Sequence, residues 1–219
     1  NVYSSLPLQG ASEAQTGAMV QGIRLALEEA GGKAGGITVN YTSLDDSTAQ
    51  AGNWDPGATA QNARKVAQDD SAVFYIGEFN SGASAISIPI LNQAGVAQVS
   101  PANTYVGLTT DEPGSEKGEP AKYYPTGERT YARIVPRDTI QAAALITLMQ
   151  QDGCTKVALA NGINANMLHT WRRATKGAAS AKAASSFSRP CHRGHAIWRT
   201  ATVRPSSASA TFKCAPPTS

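Results

Sequence analysis

Residues 73–104 read VFYIGEFNSGASAISIPILNQAGVAQVSPANT. Two short apolar runs, VFYIG and VAQVS, flank a helical stretch at 83–93. Strands separated by a helix of ten or so residues are the mark of a βαβ unit and a parallel sheet. Each run ends in a small polar turn, NSGAS after the first and SPANT after the second. In open α/β sheets ligands sit beyond the carboxyl ends of the strands, where both turns fall.

The same alternation extends in both directions. Val2–Leu6 reads as a strand, and residues 13–30 carry Met19, Val20, Ile23, Leu25, Ala26 and Leu27 at helical recurrence, stopped by Gly31 and Gly32. A strand at 37–44, a helix at 58–70 and a strand at 72–77 follow. Beyond the opening stretch, a polar loop occupies about 101–128. Next come a strand at 130–135, a helix at 139–151 and a strand at 156–161. Right-handed crossovers predict a doubly wound α/β sheet with helices on both faces. A long polar loop is usually either functional or a connection between lobes, and here it is read as a connection. The loop is therefore expected to end the first sheet, with residue 130 opening a second.

Charge divides the chain. Residues 1–161 hold all 16 acidic residues and 10 of the 19 basic ones, a net of −6. Residues 162–219 hold nine basic residues, all three His, two of the three Cys and no Asp or Glu. Such asymmetry calls for two separate readings. No stretch reaches the roughly 18–20 apolar residues of a membrane helix. The opening NVYSSLPL reads as a strand and not as a signal peptide. Three cysteines without paired spacing argue against a disulfide framework.

Ser81, Gly82, Ala83 and Ser84 fall where a helix N-terminus offers unpaired N–H groups and partial positive charge. Ala102, Asn103 and Thr104 occupy the next turn. Together, the Ser81 and Thr104 hydroxyls and nearby backbone N–H groups suit a carboxylate; ordinary capping and turn formation suit the same residues. GEFNSGAS (77–84) has the glycine spacing of a phosphate loop, but Ala83 stands where that motif needs Lys. Asp138 precedes a helix, either facing a ligand cation or forming a D-x-x-Q capping box with Gln141. Asp45 and Asp46 suit a solvated turn better than a metal. Trp54 and Tyr105 are loop aromatics, ligand wall or anchor. Residues 1–161 contain no His, so no Ser-His or Cys-His pair, and no catalytic or metal set, assembles there. Cys154 reads as structural.

In order and spacing, SSLPLQG, SLDDSTAQ, YIGEFNSGASAISIPILNQAGV, VSPANTYVGLT, YYPTGERTYARIVPRD and CTKVALAN resemble the start of a type I periplasmic binding protein. The nearest group is the branched-chain amino acid binding proteins of ABC importers. The resemblance covers about residues 1–161. It implies two α/β lobes closing on a ligand: lobe I at 1–128 and the start of a truncated lobe II at 129–161. It implies Ser81, Ala102 and Thr104 as carboxylate partners and Asp138 as the ammonium partner. Phe79 and Asn80 stand in the side-chain wall, where this sequence departs from the family. The implied protein is a non-enzymatic, extracytoplasmic solute-binding protein, on occasion lipid-anchored. It would take a small amino-acid-like ligand, partner an ABC permease, and need neither cofactor nor nucleic acid. A ligand-sensing receptor domain of the same fold and an α/β enzyme are the alternatives.

Residues 162–219 leave the pattern. Their basic composition without apolar periodicity predicts an irregular, disordered tail. We expect it to be out-of-frame translation beginning near Asn161. Nucleic-acid binding through Trp171 and Trp198, and zinc binding by Cys191, His192, His195 and Cys214, are weaker alternatives, since neither matches a known spacing.

Overall fold

The computed structural model describes residues 1–152, 156–160, 200–203 and 210–215. They divide into two compact units, and each is taken by itself. The first comprises residues 1–104, 108–110 and 117–135; the second comprises 105–107, 111–116 and 136–219.

In chain order, the first unit contains β1 (Val2–Leu6), α1 (Glu13–Glu29), β2 (Lys33–Ala34), β3 (Ile37–Thr38), β4 (Tyr41–Asp45), β5 (Ser47–Thr48) and β6 (Asn53–Trp54). It continues with α2 (Pro56–Ala67), β7 (Phe74–Ile76), α3 (Ser81–Gln93), β8 (Ala97–Ser100) and β9 (Tyr131–Arg133). Five strands form one sheet in the order β4-β1-β7-β8-β9, every pair parallel. The predicted α/β class with a parallel sheet is therefore observed. The run expected as one strand at 37–44 is two elements. Residues 33–38 make a small hairpin, β2 against β3, before β4 enters the sheet.

Strand periodicity sends alternate side chains to opposite faces. Tyr3 packs with Ala63 and Val66 of α2, Tyr75 of β7 and Leu91 of α3. Leu6, on the other face of β1, packs with Val20 of α1, Phe79 and Ala102. Helices thus cover both faces, as the doubly wound pattern requires. Leu91 is fully buried, so its truncation to Ala would cost about 2–5 kcal/mol. Local signals set the start of α2: Asp55 accepts a hydrogen bond from the Ala58 N–H at 2.9 Å and Pro56 takes the first helical position.

The expectation that residue 130 opens a second sheet is corrected. β9 pairs with β8, Gln98 opposite Tyr131 and Val99 opposite Ala132, as the fifth strand of the first sheet. The physical cause is Asn92 near the end of α3. Its side-chain Nδ2 donates to the Glu128 carbonyl and to Thr130 Oγ1, both at 2.9 Å, and its Oδ1 accepts from the Thr126 N–H at 3.1 Å. Those bonds hold the end of the long loop against α3 and return the chain to the edge of β8.

In the second unit, α4 (Asp138–Gln151) precedes β10 (Lys156–Ala160), β11 (Thr200–Val203) and β12 (Ala210–Ala215). The three strands form an antiparallel sheet ordered β10-β12-β11. α4 buries Asp138, Ala142 and Leu145 while exposing Ile140 and Leu148. Apart from β11 and β12, the tail expected to be disordered lies outside the described residues. So do Cys154 and the zinc and nucleic-acid candidates other than Cys214, which falls in β12. Among the described residues, no helix is long and apolar enough to cross a membrane.

Candidate functional site

The carboxyl ends of β1, β4, β7 and β8 lie side by side, since Leu6 pairs with Asp45, Ser4 with Ile76, and Ile76 with Val99. Phe79, Asn80 and Ser81 follow β7; Ala102 and Thr104 follow β8. These five predicted residues are therefore gathered at one end of one sheet.

Hydrogen bonds tie the two turns to each other. The Glu78 carbonyl accepts from Ser100 Oγ at 2.6 Å and from Asn103 Nδ2 at 3.0 Å. The same Asn103 nitrogen donates to the Phe79 carbonyl at 3.0 Å. Ser100 Oγ in turn accepts from the N–H groups of Ala102 and Asn103, at 3.2 and 3.0 Å. Buried backbone carbonyls need such partners, and here side chains of one turn satisfy the carbonyls of the other. Ser100 and Asn103, fully buried, are the residues that set the spacing of the turns.

α3 begins at Ser81, with Asn80 at the cap position in an extended conformation. The Asn80 side chain is 2% exposed, makes no capping bond, and neither polar atom has a hydrogen-bond partner among the described residues. Phe79 points away from solvent into the α1-side core with Leu6 and Val20. Trp54, at the end of the β5–β6 hairpin, lies against the first turn of α3. A Cβ built on Gly82 would stand 2.8 Å from Trp54 Cζ2. Trp54 is thus an aromatic cover beside the helix N-terminus. Gly77, the first glycine of the rejected phosphate-loop match, has a packing role: a Cβ there would meet the Ser5 carbonyl oxygen at 2.7 Å. Tyr105 falls in the second unit.

The Asp45–Asp46 pair is not a solvated turn. Asp45 accepts from the Leu8 N–H at 2.9 Å, Gln9 Nε2 at 2.7 Å and the Ser47 N–H at 2.8 Å. Burial works against its ionisation, yet the bonds from Gln9, Ser47 and Leu8 hold the carboxyl below the usual range. Asp46 is fully buried, and its carboxyl meets that of Glu78, also fully buried. Burial first, and then the neighbouring carboxyl, pushes Glu78 well above the ordinary range; burial likewise pushes Asp46 up to about 6. Glu78 escaped the sequence reading. Its signal was a carboxylate directly after an apolar strand, in VFYIGEFN, with a second acidic pair at the end of another strand.

Asp138 belongs to the second unit. It is fully buried in the first turn of α4. The D-x-x-Q capping box does not form: Arg137 holds the cap position, and Gln141 Nε2 donates to the Pro136 carbonyl at 3.0 Å. Arg137 pairs with Glu112 at 2.7 Å, and Thr139 Oγ1 donates to the other Glu112 oxygen at 2.9 Å. Glu112 therefore holds both sides of Asp138 in sequence.

Known proteins place this architecture. The sequence model of a periplasmic binding protein family matches residues 4–185, beyond the point near 161 at which the residue-by-residue resemblance ends. No curated protein matches the chain. Among solved structures, an ABC transporter substrate-binding protein from Desulfitobacterium hafniense superposes with a TM-score of 0.62 at 20% identity, covering 89% of this chain and 51% of that one. The isoleucine complex of a branched-chain amino acid transporter substrate-binding protein from Streptococcus pneumoniae gives 0.54 at 19% identity, covering 68% and 37%. The benzoate complex of a solute-binding protein from R. palustris gives 0.55 at 20% identity, covering 70% and 37%. At these identities the likeness is one of fold. The chain spans about two fifths to one half of the length of these structures.

Proposed function

Because the chain belongs to the periplasmic binding protein family, we propose that it is the carboxylate-binding part of an extracytoplasmic solute-binding protein serving an ABC importer. The observation that carries this reading is the pair of turns after β7 and β8. They are joined through Glu78, Ser100 and Asn103; the first opens a thirteen-residue helix at Ser81 and the second carries Thr104. Backbone N–H groups and the helix dipole favour an anion there, and the hydroxyls add donors.

The ligands named for the similar structures include isoleucine and benzoate. A carboxylate is what they share, and the turns after β7 and β8 suit that shared group. In this reading Ser81, Thr104 and the backbone at Ala102 hold the carboxylate, and Asn80 borders the rest of the ligand; Phe79, expected in the ligand wall, packs in the core with Leu6 and Val20 instead. The unpartnered amide of Asn80 favours a ligand with a polar substituent over a purely aliphatic one, since a buried amide left unsatisfied is costly. Docking of the loaded protein on a membrane permease completes the role.

Calorimetry on the 219-residue chain tests the reading. Isoleucine, benzoate and 4-hydroxybenzoate are each compared with their primary amides. Carboxylates are expected to bind weakly, with dissociation constants on the order of millimolar, about −4 kcal/mol. Amides should not bind. Ser81→Ala should weaken binding by about tenfold or more, the usual loss for a charge-assisted hydrogen bond. Equal binding of acids and amides would sink the proposal.

A further inference from the structure

The ligand reading leaves the buried carboxyls of Asp46 and Glu78 unused, and their surroundings constrain their protons. Asp46 follows β4; Glu78 follows β7. Both side chains are fully buried. Glu78 Oε1 is taken: it accepts from the Tyr75 hydroxyl at 2.6 Å. Glu78 Oε2 and both Asp46 oxygens have no donor among the described residues. β1 lies between β4 and β7, and the Asp46 N–H donates to the Leu6 carbonyl at 3.2 Å, so the two carboxyls flank the end of β1 and each acts on the other.

Two ionised carboxylates in contact, away from water, repel strongly. The other groups facing them do not cancel that repulsion. The hydroxyls of Tyr75 from β7 and Ser5 from β1 favour an ionised Glu78, but less than burial and the Asp46 carboxyl oppose it, and Asp45 from β4 adds negative charge beside Asp46. No Lys, Arg or His among the described residues acts on the pair. A single proton on Glu78 Oε2 resolves the conflict. It gives that oxygen a bond to make, gives Asp46 a donor, and leaves Oε1 free to accept from Tyr75.

We propose that Glu78 is a neutral carboxylic acid in the folded protein and donates a hydrogen bond to the Asp46 carboxylate, which makes it a positioning residue joining the end of β4 to the turn after β7. The Glu78 backbone carries the rest of the junction, donating its N–H to Ser84 Oγ at 3.0 Å and offering its carbonyl to Ser100 and Asn103. Loss of the shared proton drives the two strand ends apart. The part of this inference that concerns the ligand turns rests on the function proposed above; the protonation state does not.

The sign of the pH effect follows from the direction of the shifts. Both carboxyls bind protons more tightly folded than unfolded. Their stabilisation is complete below the unfolded carboxylate range near ~4 and is lost as pH rises, first through about 6 as Asp46 ionises.

The test needs no ligand, so its failure is distinct from failure of the binding reading. Thermal unfolding of the full chain is followed from pH 4 to 8 for the wild type, Glu78→Gln, Glu78→Ala and Asp46→Asn. Gln reproduces the neutral acid, with its carbonyl accepting from Tyr75 and its NH2 donating to Asp46. Glu78→Gln should therefore keep the wild-type midpoint at pH 7, while Glu78→Ala lowers it by about 5 °C or more. The wild-type midpoint should fall as pH rises through 6, and Asp46→Asn should flatten that fall. Infrared spectra of the wild type at pH 7 should contain a protonated-carboxyl band that Glu78→Gln removes. A wild type without that band at pH 7 overturns the proposal. So does a Gln variant as unstable as the Ala variant.

Discussion

The Tyr131 hydroxyl donates a hydrogen bond to Asn103 Oδ1 at 2.7 Å. With its acceptor oxygen thus engaged, Asn103 has its nitrogen turned toward the carbonyls of Glu78 and Phe79. The last strand of the sheet thereby orients the amide that joins the two turns of the candidate site.

Tyr131→Phe removes that bond and leaves a buried carbonyl oxygen without a donor. The expected loss is about 1–3 kcal/mol, read from the urea midpoint of the full chain. Asn103→Asp should cost more, because it keeps the acceptor for Tyr131 but replaces the donor to two buried carbonyls with a charge. Equal effects of the two substitutions would show that the amide nitrogen matters little.

Gly10 and Gly31 both have positive φ, +77° and +64°, so Ala strains the backbone at either position. They differ in space. A Cβ on Gly10 would stand 2.1 Å from the Gly52 carbonyl oxygen, whereas one on Gly31 meets nothing within 4 Å. Gly10→Ala is expected to cost about 1–3 kcal/mol more than Gly31→Ala, the usual scale of overpacking. Denaturant curves for the two variants, compared directly, check this.

Gly82→Ala brings a methyl group against the Trp54 ring. Trp54 is only partly buried, so the ring yields before the helix does. We expect a red-shifted Trp54 emission with a change in stability within about 1 kcal/mol. Substituting Trp171 and Trp198 by Phe isolates the signal. An unmoved spectrum would mean that the ring is not held against α3.

Asp69 accepts hydrogen bonds from Asn1 Nδ2 and Tyr3 Oη, at 2.7 and 2.6 Å, and from the Ser71 N–H and hydroxyl, at 2.9 and 2.6 Å. The bonds from Asn1, Ser71 and Tyr3 hold its carboxyl well below the usual range. A lowered carboxyl stabilises the fold above the unfolded value and loses that effect as pH falls through the folded one. Thermal midpoints below pH ~4 should therefore drop less in Asp69→Asn than in the wild type. Parallel curves would remove Asp69 from the acid response. The direction is opposite to that expected for Asp46 and Glu78, so the two effects can be separated on one pH series.

Much of the first unit was legible in the residues. VFYIG and VAQVS became β7 and β8, and the helix between them became α3; the helix expected over 58–70 runs from Pro56 to Ala67, with Asp55 as its cap. The turns bearing Ser81, Ala102 and Thr104 were legible too, because strand direction alone puts them at the carboxyl ends. Glu78 was not, since a single carboxylate after a strand resembles a surface residue until its neighbours are known. Nor was the fate of residues 130–135. Nothing local in TYARIV distinguishes the edge of one sheet from the start of another, and the choice rests on Asn92, about 40 residues earlier.

By itself, the sequence determined the order and direction of the elements, because hydrophobic period, caps and glycine stops act over a few residues. Tertiary structure alone decided which strand closes the sheet, which polar side chains are buried, and how Ser100 and Asn103 bind the turn after β7. Those outcomes depend on contacts between residues far apart in the chain. Asp46 and Glu78 show why: each is an ordinary acidic residue in its own segment. Only the pairing of β1 with both β4 and β7 brings their carboxyls together, out of water, where they share a single proton in the state proposed here.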